Sequence, residues 1–227
     1  MITGILFDID GTLLNSNDAH ANAWVDSFQE FKMNIDFETV RRAIGMGSDN
    51  LLPSVTGIKS ESEEGKALSK RRGEIFVEKY LDKLEAFPGA RDLLLALKTA
   101  GYKLVVATSA SQKDLKSLLK RGNIEGIFDE KTNSDDVENS KPDPDIILAA
   151  MKKIEVEPHQ AIMIGDTPYD IEAASKAMVK TIGFTSGGWS PDSLRDAIEI
   201  YHGPQDLLEN LSSSILRNPF QTDSAHL

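Results

Sequence analysis

Two carboxylates close the first apolar run of the chain. Ile2 to Phe7 has strand length and is rich in β-branched and aromatic residues. It ends in Asp8-Ile9-Asp10-Gly11-Thr12. Acids at the end of a buried strand are costly unless a positive charge sits between them. A divalent cation meets that need, and hard oxygen ligands suit Mg²⁺. Gly11 permits a sharp turn and leaves room for a ligand near the backbone. The plainer alternative is a strand followed by an acidic turn, since Asp-Gly is a common turn pair.

Three later stretches carry further chemistry. Val105-Val106-Ala107 runs into Thr108 and Ser109, where hydroxyls and free backbone N–H groups at a strand-to-helix junction can hold a phosphate, or simply cap the helix. Lys141, in Ser140-Lys141-Pro142, reads by itself as a solvated residue. Beside an acidic metal site with a bound phosphate, it supplies a fixed positive charge. Ile162-Met163-Ile164-Gly165-Asp166 repeats the grammar of the first stretch, and Asp170 follows in the first turn of the next helix. Asp166 and Asp170 can face one ion, or act as a cap and a dipole-favoured acid.

At ordinary residue usage, Asp-x-Asp-Gly-Thr arises by chance on the order of once per 10⁵ positions. Followed in order by Thr108-Ser109, Lys141 and Gly165-Asp166-x-x-x-Asp170, it resembles the four motifs of the haloacid dehalogenase superfamily, mostly Mg²⁺-dependent phosphatases. The resemblance covers the chain apart from its tail, and the position of the helical segment is similar to the phosphoglycolate phosphatase and β-phosphoglucomutase-like branch. It implies Asp8 as nucleophile and Asp10 as acid then base, with the Asp10 pKa raised by its neighbouring carboxylates. It implies Mg²⁺ held by Asp8, the Asp10 carbonyl, Asp166 and Asp170, the last directly or through water. Thr108, Ser109 and Lys141 would stabilise the transferring phosphoryl group. Asn15 departs from the pattern, standing where many members carry Asp, which would alter hydrogen bonding behind the site. The expected activity is hydrolysis of a small phosphorylated metabolite, phosphoglycolate- or sugar-phosphate-like. A phosphomutase of the same mechanism, a non-catalytic phosphate binder and a dehalogenase are the alternatives. Intact Asp8 and Asp10 argue against the binder, and the full acid set argues against the dehalogenase.

These residues need elements to position them. Residues 17–32, 36–44, 48–55 and 60–83 read as helices, with Asn17 or Asp18 as the first cap and no strand between them. From Phe87-Pro88-Gly89 onward, helices and strands alternate, with strands at Lys103–Ala107, Gly126–Phe128, Ala161–Ile164, Val179–Phe184 and Ile198–Tyr201. Alternation predicts an α/β fold, a Rossmann-like parallel sheet covered on both faces. The core comprises residues 1–15 and 86–227, and residues 16–85 form an inserted all-helical cap. The hinges are expected at Leu14–Ser16 and Ala86–Gly89. Gly45 and Ser48, in a loop between two cap helices, could hang over the phosphate, with Met46 between them, or merely stop one helix and cap the next. His20, Trp24, Arg41 and Arg42 are weaker candidates, Trp24 reading as core and the arginines as solvated. Thr185 to Ser190, with two glycines after a strand, could border the mouth of the site, or more plainly reads as a flexible connection with Trp189 partly packed; residues after Ser212 read as a loosely held tail.

The 227 residues are 40% apolar and 27% charged, with net charge −11 and pI near 4.9. That balance argues against nucleic acid and anionic membrane partners, but not against an anionic substrate beside a local cation. Without cysteine, neither disulfides nor thiol chemistry is available. The first apolar run is too short for a signal peptide or a membrane span, so a cytoplasmic enzyme is expected. A monomer is the default, with a dimer left open.

Overall fold

The first strand, β1 (Gly4–Phe7), is buried on both faces, as a strand between two helical layers must be. The computed structural model describes residues 1–217. After β1, four helices follow with no strand between them: α1 (Asn17–Glu30), α2 (Phe37–Ala43), α3 (Ser48–Thr56) and α4 (Glu63–Ile75). From Ala90 the chain alternates through α5 (Ala90–Thr99), β2 (Lys103–Ala107), α6 (Gln112–Arg121), β3 (Glu130–Thr132), α7 (Asp145–Ile154), β4 (Ala161–Gly165), α8 (Pro168–Lys176), β5 (Lys180–Phe184), β6 (Glu199–Tyr201) and α9 (Pro204–Glu209).

The strands form one parallel sheet in the order β3-β2-β1-β4-β5-β6. The chain runs outward from β1 to one edge, returns beside β1 as β4, and runs outward again. The strand order therefore reverses between β1 and β4, and doubly wound sheets bind ligands at such a point. Phe7 lies opposite Ile164, and the Asp8 N–H donates to the Ile164 carbonyl at 2.9 Å. Asp8 and Asp166 thus leave the sheet side by side.

Strand alternation splits the core. Ile5 and Phe7 join a cluster with Leu93, Leu97 and Leu118 of α5 and α6, while Leu6 faces Ile147, Ala150 and Ala173 of α7 and α8. The helical insert has its own apolar centre, built on Trp24, Phe28, Val40, Leu52 and Leu68. Its two connections to the sheet run side by side. Leu14 bridges Ala86, the Asn15 N–H donates to the Glu85 carbonyl at 3.0 Å, and the Phe87 N–H donates to the Leu13 carbonyl at 2.9 Å.

Three expectations change. The strand expected at Gly126–Phe128 is a turn, and the strand is Glu130–Thr132; Ile127 and Phe128 bury from the loop, and a short apolar run looks the same in either state. The helix expected over 60–83 ends at Ile75 and continues as a widened turn over Phe76–Tyr80 and a tight turn over Leu81–Lys83. The tail expected to be loose after Ser212 is anchored through its first residues: Ser214 and Leu216 are buried, and the Tyr102 hydroxyl donates to the Leu216 carbonyl at 3.0 Å. The remainder of that tail, 218–227, lies outside the described residues. Among the described residues, no helix is long and apolar enough to cross a membrane.

Candidate active site

The site begins where β1 stops. The N–H groups of Leu13 and Leu14 fold back onto the Ile9 carbonyl at 2.9 and 3.0 Å, closing a tight turn. Gly11 sits in it at φ 77°, where a side chain would be strained and would also overlap Asn17 and Asp166. Asp166, at the end of β4, accepts from the Thr12 hydroxyl at one oxygen and the Asn17 amide at the other, both at 2.9 Å. A Cβ on Gly187 would overlap the same carboxylate, and the Ser186 hydroxyl donates to the Gly11 carbonyl at 2.8 Å. The stretch expected to be a flexible connection, residues 185–190, is therefore packed against the site.

Asp8, Asp166 and Asp170 bring carboxylate oxygens within 4.8 Å of one another, all buried. The Lys141 Nζ bridges two of them, 2.8 Å from Asp8 and 2.7 Å from Asp170, with 1% of its side chain exposed. Asp170 is committed on both oxygens: Oδ1 takes Lys141, and Oδ2 accepts from the Thr167 N–H and hydroxyl in a reciprocal cap at the start of α8. Burial pushes the Asp8 carboxyl up to about 7, with Lys141 opposing and Asp170 and Asp10 adding. Burial, then Asp170 and Asp8, hold Asp166 well above the usual carboxylate range. Burial works against the Lys141 charge, but the two carboxylates outweigh it and keep the ammonium more strongly protonated than usual. Three converging carboxylates with one ammonium remain a net negative, all-oxygen cage, a donor set that fits a hard divalent cation.

Asp10 faces away from that cage. Its Oδ1 accepts from the Ser16 hydroxyl at 2.5 Å and lies 2.9 Å from His20 Nε2, and the His20 ring stacks on Phe76 with centroids 4.1 Å apart. Its carboxylate is thus not among the clustered oxygens. Burial alone would raise its pKa, but His20 and Ser16 outweigh burial and hold it below the usual carboxylate range. The expectation that neighbouring carboxylates raise it is overturned, because the turn at Gly11 aims the side chain at the helical insert instead. The expected cap by Asn17 or Asp18 also fails: Ser16 occupies the cap position without a capping bond, and Ser16 and Asn17 serve Asp10 and Asp166.

A cleft of about 450 Å³ lies between the sheet and the insert, lined by Asp8, Asp10, Thr108 and Ser109 on one side and Gly45, Met46 and Ser48 on the other. The Ser109 hydroxyl is buried without a hydrogen-bond partner, and the Thr108 hydroxyl accepts from the Ala110 N–H at 3.1 Å. Gly45, at φ 111°, lets its loop close onto Thr167 and Tyr169, where a Cβ would crowd both. The helix that follows grips the lysine loop: Asp49 accepts from the Ser140 N–H at 3.1 Å, and the Asn50 amide donates to the Ser140 and Lys141 carbonyls at 3.2 Å. His20 and Trp24 are both buried and both line the cleft. Arg41, expected to be solvated, donates to the Gly187 carbonyl and to Asp18. The Arg42 side chain is exposed as expected, and its carbonyl accepts from the Tyr169 hydroxyl at 2.7 Å. Asn15 is exposed, so it does not back the acid cluster. Sequence reasoning missed Ser16, Asn17 and Arg72 as site residues, and raised Gly187 only as a residue that could border the mouth of the site. Only Asn17, an amide directly after the first motif, carried a local signal, and it was read as a helix cap.

The haloacid dehalogenase-like hydrolase family matches this chain over residues 5–184. A phosphoglycolate phosphatase from Nitrosospira multiformis is 30% identical over 182 residues, covering 78% of this chain and 80% of that protein. A pyrophosphatase PpaX from Bacillus velezensis is 30% identical over 183 residues, covering 80% and 82%. The crystal structure of a hydrolase from Pseudomonas syringae superposes with a TM-score of 0.87 at 31% identity, over 93% of this chain and 98% of that one. With most of its length matched, and a parallel sheet carrying acids at the ends of its two central strands, the chain belongs to the haloacid dehalogenase-like hydrolases.

Proposed function

We propose that the chain is a Mg²⁺-dependent phosphatase that hydrolyses a small phosphorylated metabolite, phosphoglycolate- or sugar-phosphate-like, through a phosphoryl group carried on Asp8. The observation that carries this reading is the split at the end of β1. Asp8 lies in an acid cage with Lys141 at 2.8 Å, and Asp10 is held on the opposite, insert side of the turn. The names of the relatives support the substrate class. The insert, 16–85, would act as a cap moving on the paired connections at Leu14 and Ala86 against a core of 1–15 and 86–217. The setting would be cytoplasmic and the protein monomeric.

Asp8, Asp166 and the main chain at Asp10 would hold the ion, with Asp170 acting through Lys141 or through water, since both its oxygens are engaged. A Mg²⁺ ion held there would offset the charge of the phosphate and favour the ionised form of Asp8. An Asp8 oxygen attacks phosphorus, the bond to the leaving oxygen breaks, and Asp10, ionised in the free site, gives that oxygen a proton taken up with the incoming phosphate. Asp10 then takes a proton from the water that attacks the acyl phosphate, releasing phosphate and restoring Asp8. Lys141, the Ser109 hydroxyl and the backbone at Thr108 hold the phosphoryl oxygens, and phosphoryl transfer depends mainly on such positioning and charge. Gly45 and Ser48 border the leaving group.

Phosphate release from a panel of phosphorylated metabolites and an aryl phosphate, with Mg²⁺ and in excess EDTA, tests this. Release is expected only with Mg²⁺; full activity in EDTA would sink the proposal. Transfer to a second hydroxyl without net release would make the protein a phosphomutase.

A further inference from the structure

Arg72, near the end of α4, lines the same cleft as Asp8 and Asp10. Its guanidinium carbon stands over the Trp24 ring, 5.2 Å from its centre. The nearest acid from the core is Asp114 on α6, whose Oδ2 is 3.6 Å from Nη1, beyond hydrogen-bond reach. Nε and Nη1 are both buried, and neither has a hydrogen-bond partner. Asp10, the other acid close enough to influence Arg72, is engaged at Oδ1 by Ser16 and His20 and makes no hydrogen bond to Arg72. A guanidinium keeps its charge, and leaving its donors buried and unpaired is costly.

A planar donor fork held against an indole and opening on a cleft is matched to an oxyanion of two or more oxygens. We propose that Arg72 receives a second anionic group of the substrate, a carboxylate or phosphoryl group a few bonds from the ester oxygen that Asp10 protonates. This rests on the phosphatase reading and narrows it: the substrate class is phosphoryl compounds with an adjacent anion, rather than simple neutral alcohol esters. Hydrogen bonds to a charged partner at such a site discriminate by about 10- to 100-fold.

The test compares 2-phosphoglycolate with its amide, which has the same shape without the second charge, and adds pyrophosphate to separate a carboxylate preference from a phosphoryl one. The Mg²⁺-loaded wild type should favour the acid over the amide in kcat/KM by about 10- to 100-fold, or favour pyrophosphate by a similar factor. In Arg72→Met the preference should shrink to within about 3-fold, with the acid and pyrophosphate losing more than the amide. Asp114→Asn should keep the preference, because Arg72 then loses only its distant acid. The inference falls if wild type treats acid, pyrophosphate and amide alike, if Arg72→Met lowers all three equally, or if Asp114→Asn erases the preference as Arg72→Met does. Calorimetric binding of the three compounds to Asp8→Asn separates this from failure of the phosphatase reading. An Arg72-dependent preference in binding, with no turnover by wild type, would uphold the anion site and reject the hydrolase.

Discussion

Asp8 and Asp10 are two residues apart and experience opposite fields. Around Asp8, burial and the carboxylates of Asp170 and Asp10 outweigh Lys141, and the carboxyl rises to about 7. Around Asp10, burial is outweighed by His20 and Ser16, and the carboxyl sits below its usual range. The core side of the cleft therefore concentrates negative charge, and the insert side supplies the groups that oppose it, including Arg72. The contrast shows how one strand end can serve two chemical roles: a single turn sends neighbouring acids into the separate fields of the sheet ends and of the helical insert.

The sharpest way to break this comparison is to remove each acid in turn. Asp8→Asn should lower phosphate release by at least about 10⁴-fold on every substrate, because no nucleophile remains. Asp10→Asn should cost about 10²- to 10⁴-fold on alkyl esters. It should cost much less on an aryl phosphate, whose leaving group needs no proton. Equal losses on the two leaving groups would show that Asp10 is not the acid.

Next comes the support behind the cage. Asn17→Ala removes one of the two donors to Asp166. Its Mg²⁺ requirement should rise by about 10- to 100-fold with little change in kcat at saturating metal, read from the Mg²⁺ dependence of turnover. An unchanged requirement would place Asp166 outside the metal site.

Stability against pH sharpens the contrast thermodynamically. The Asp8 pKa is raised in the folded state, so the fold holds an extra proton between about pH 4 and 7. Stability from this group is present at the acid end and lost as pH rises through that window. Asp10, whose pKa is lowered, runs the other way: its contribution is present above the ordinary carboxylate pKa and is lost as pH falls. In EDTA, the midpoint of thermal unfolding should therefore decline from about pH 4 to 7 relative to Asp8→Asn, and Mg²⁺ should reverse the decline. A decline of equal slope in both proteins would remove Asp8 as its source.

The smallest effect is expected at the rim. Met46→Ala should reorder substrates by about 2- to 10-fold while leaving the aryl phosphate nearly untouched, because Met46 lines the insert side of the cleft, across from Asp8. A uniform loss across the panel would make the loop a structural cover rather than a selector.

What the chain determined locally is now distinguishable from what folding had to decide. Continuous apolar runs of strand length, two of them ending in acid, and helices punctuated by glycine and proline, specified a parallel α/β sheet, a helical segment after β1, and the strand ends that carry Asp8, Thr108 and Asp166. Those signals lie within a few residues of each other, which is why they are legible. The short run at Gly126–Phe128 misled because burial in a loop leaves the same local mark as burial in a strand. The orientation of Asp10 was a tertiary outcome. Strand periodicity would place it on the same face as Asp8, but β1 stops at Phe7 and the hydrogen bonds to the Ile9 carbonyl rotate it toward His20. The pairing of Asn17 with Asp166, the seat of Gly187 against that carboxylate, and the unpaired donors of Arg72 in the cleft likewise join residues far apart in the chain. No local pattern encodes such contacts, because they exist only once the sheet brings β4 beside β1 and the insert folds back over both.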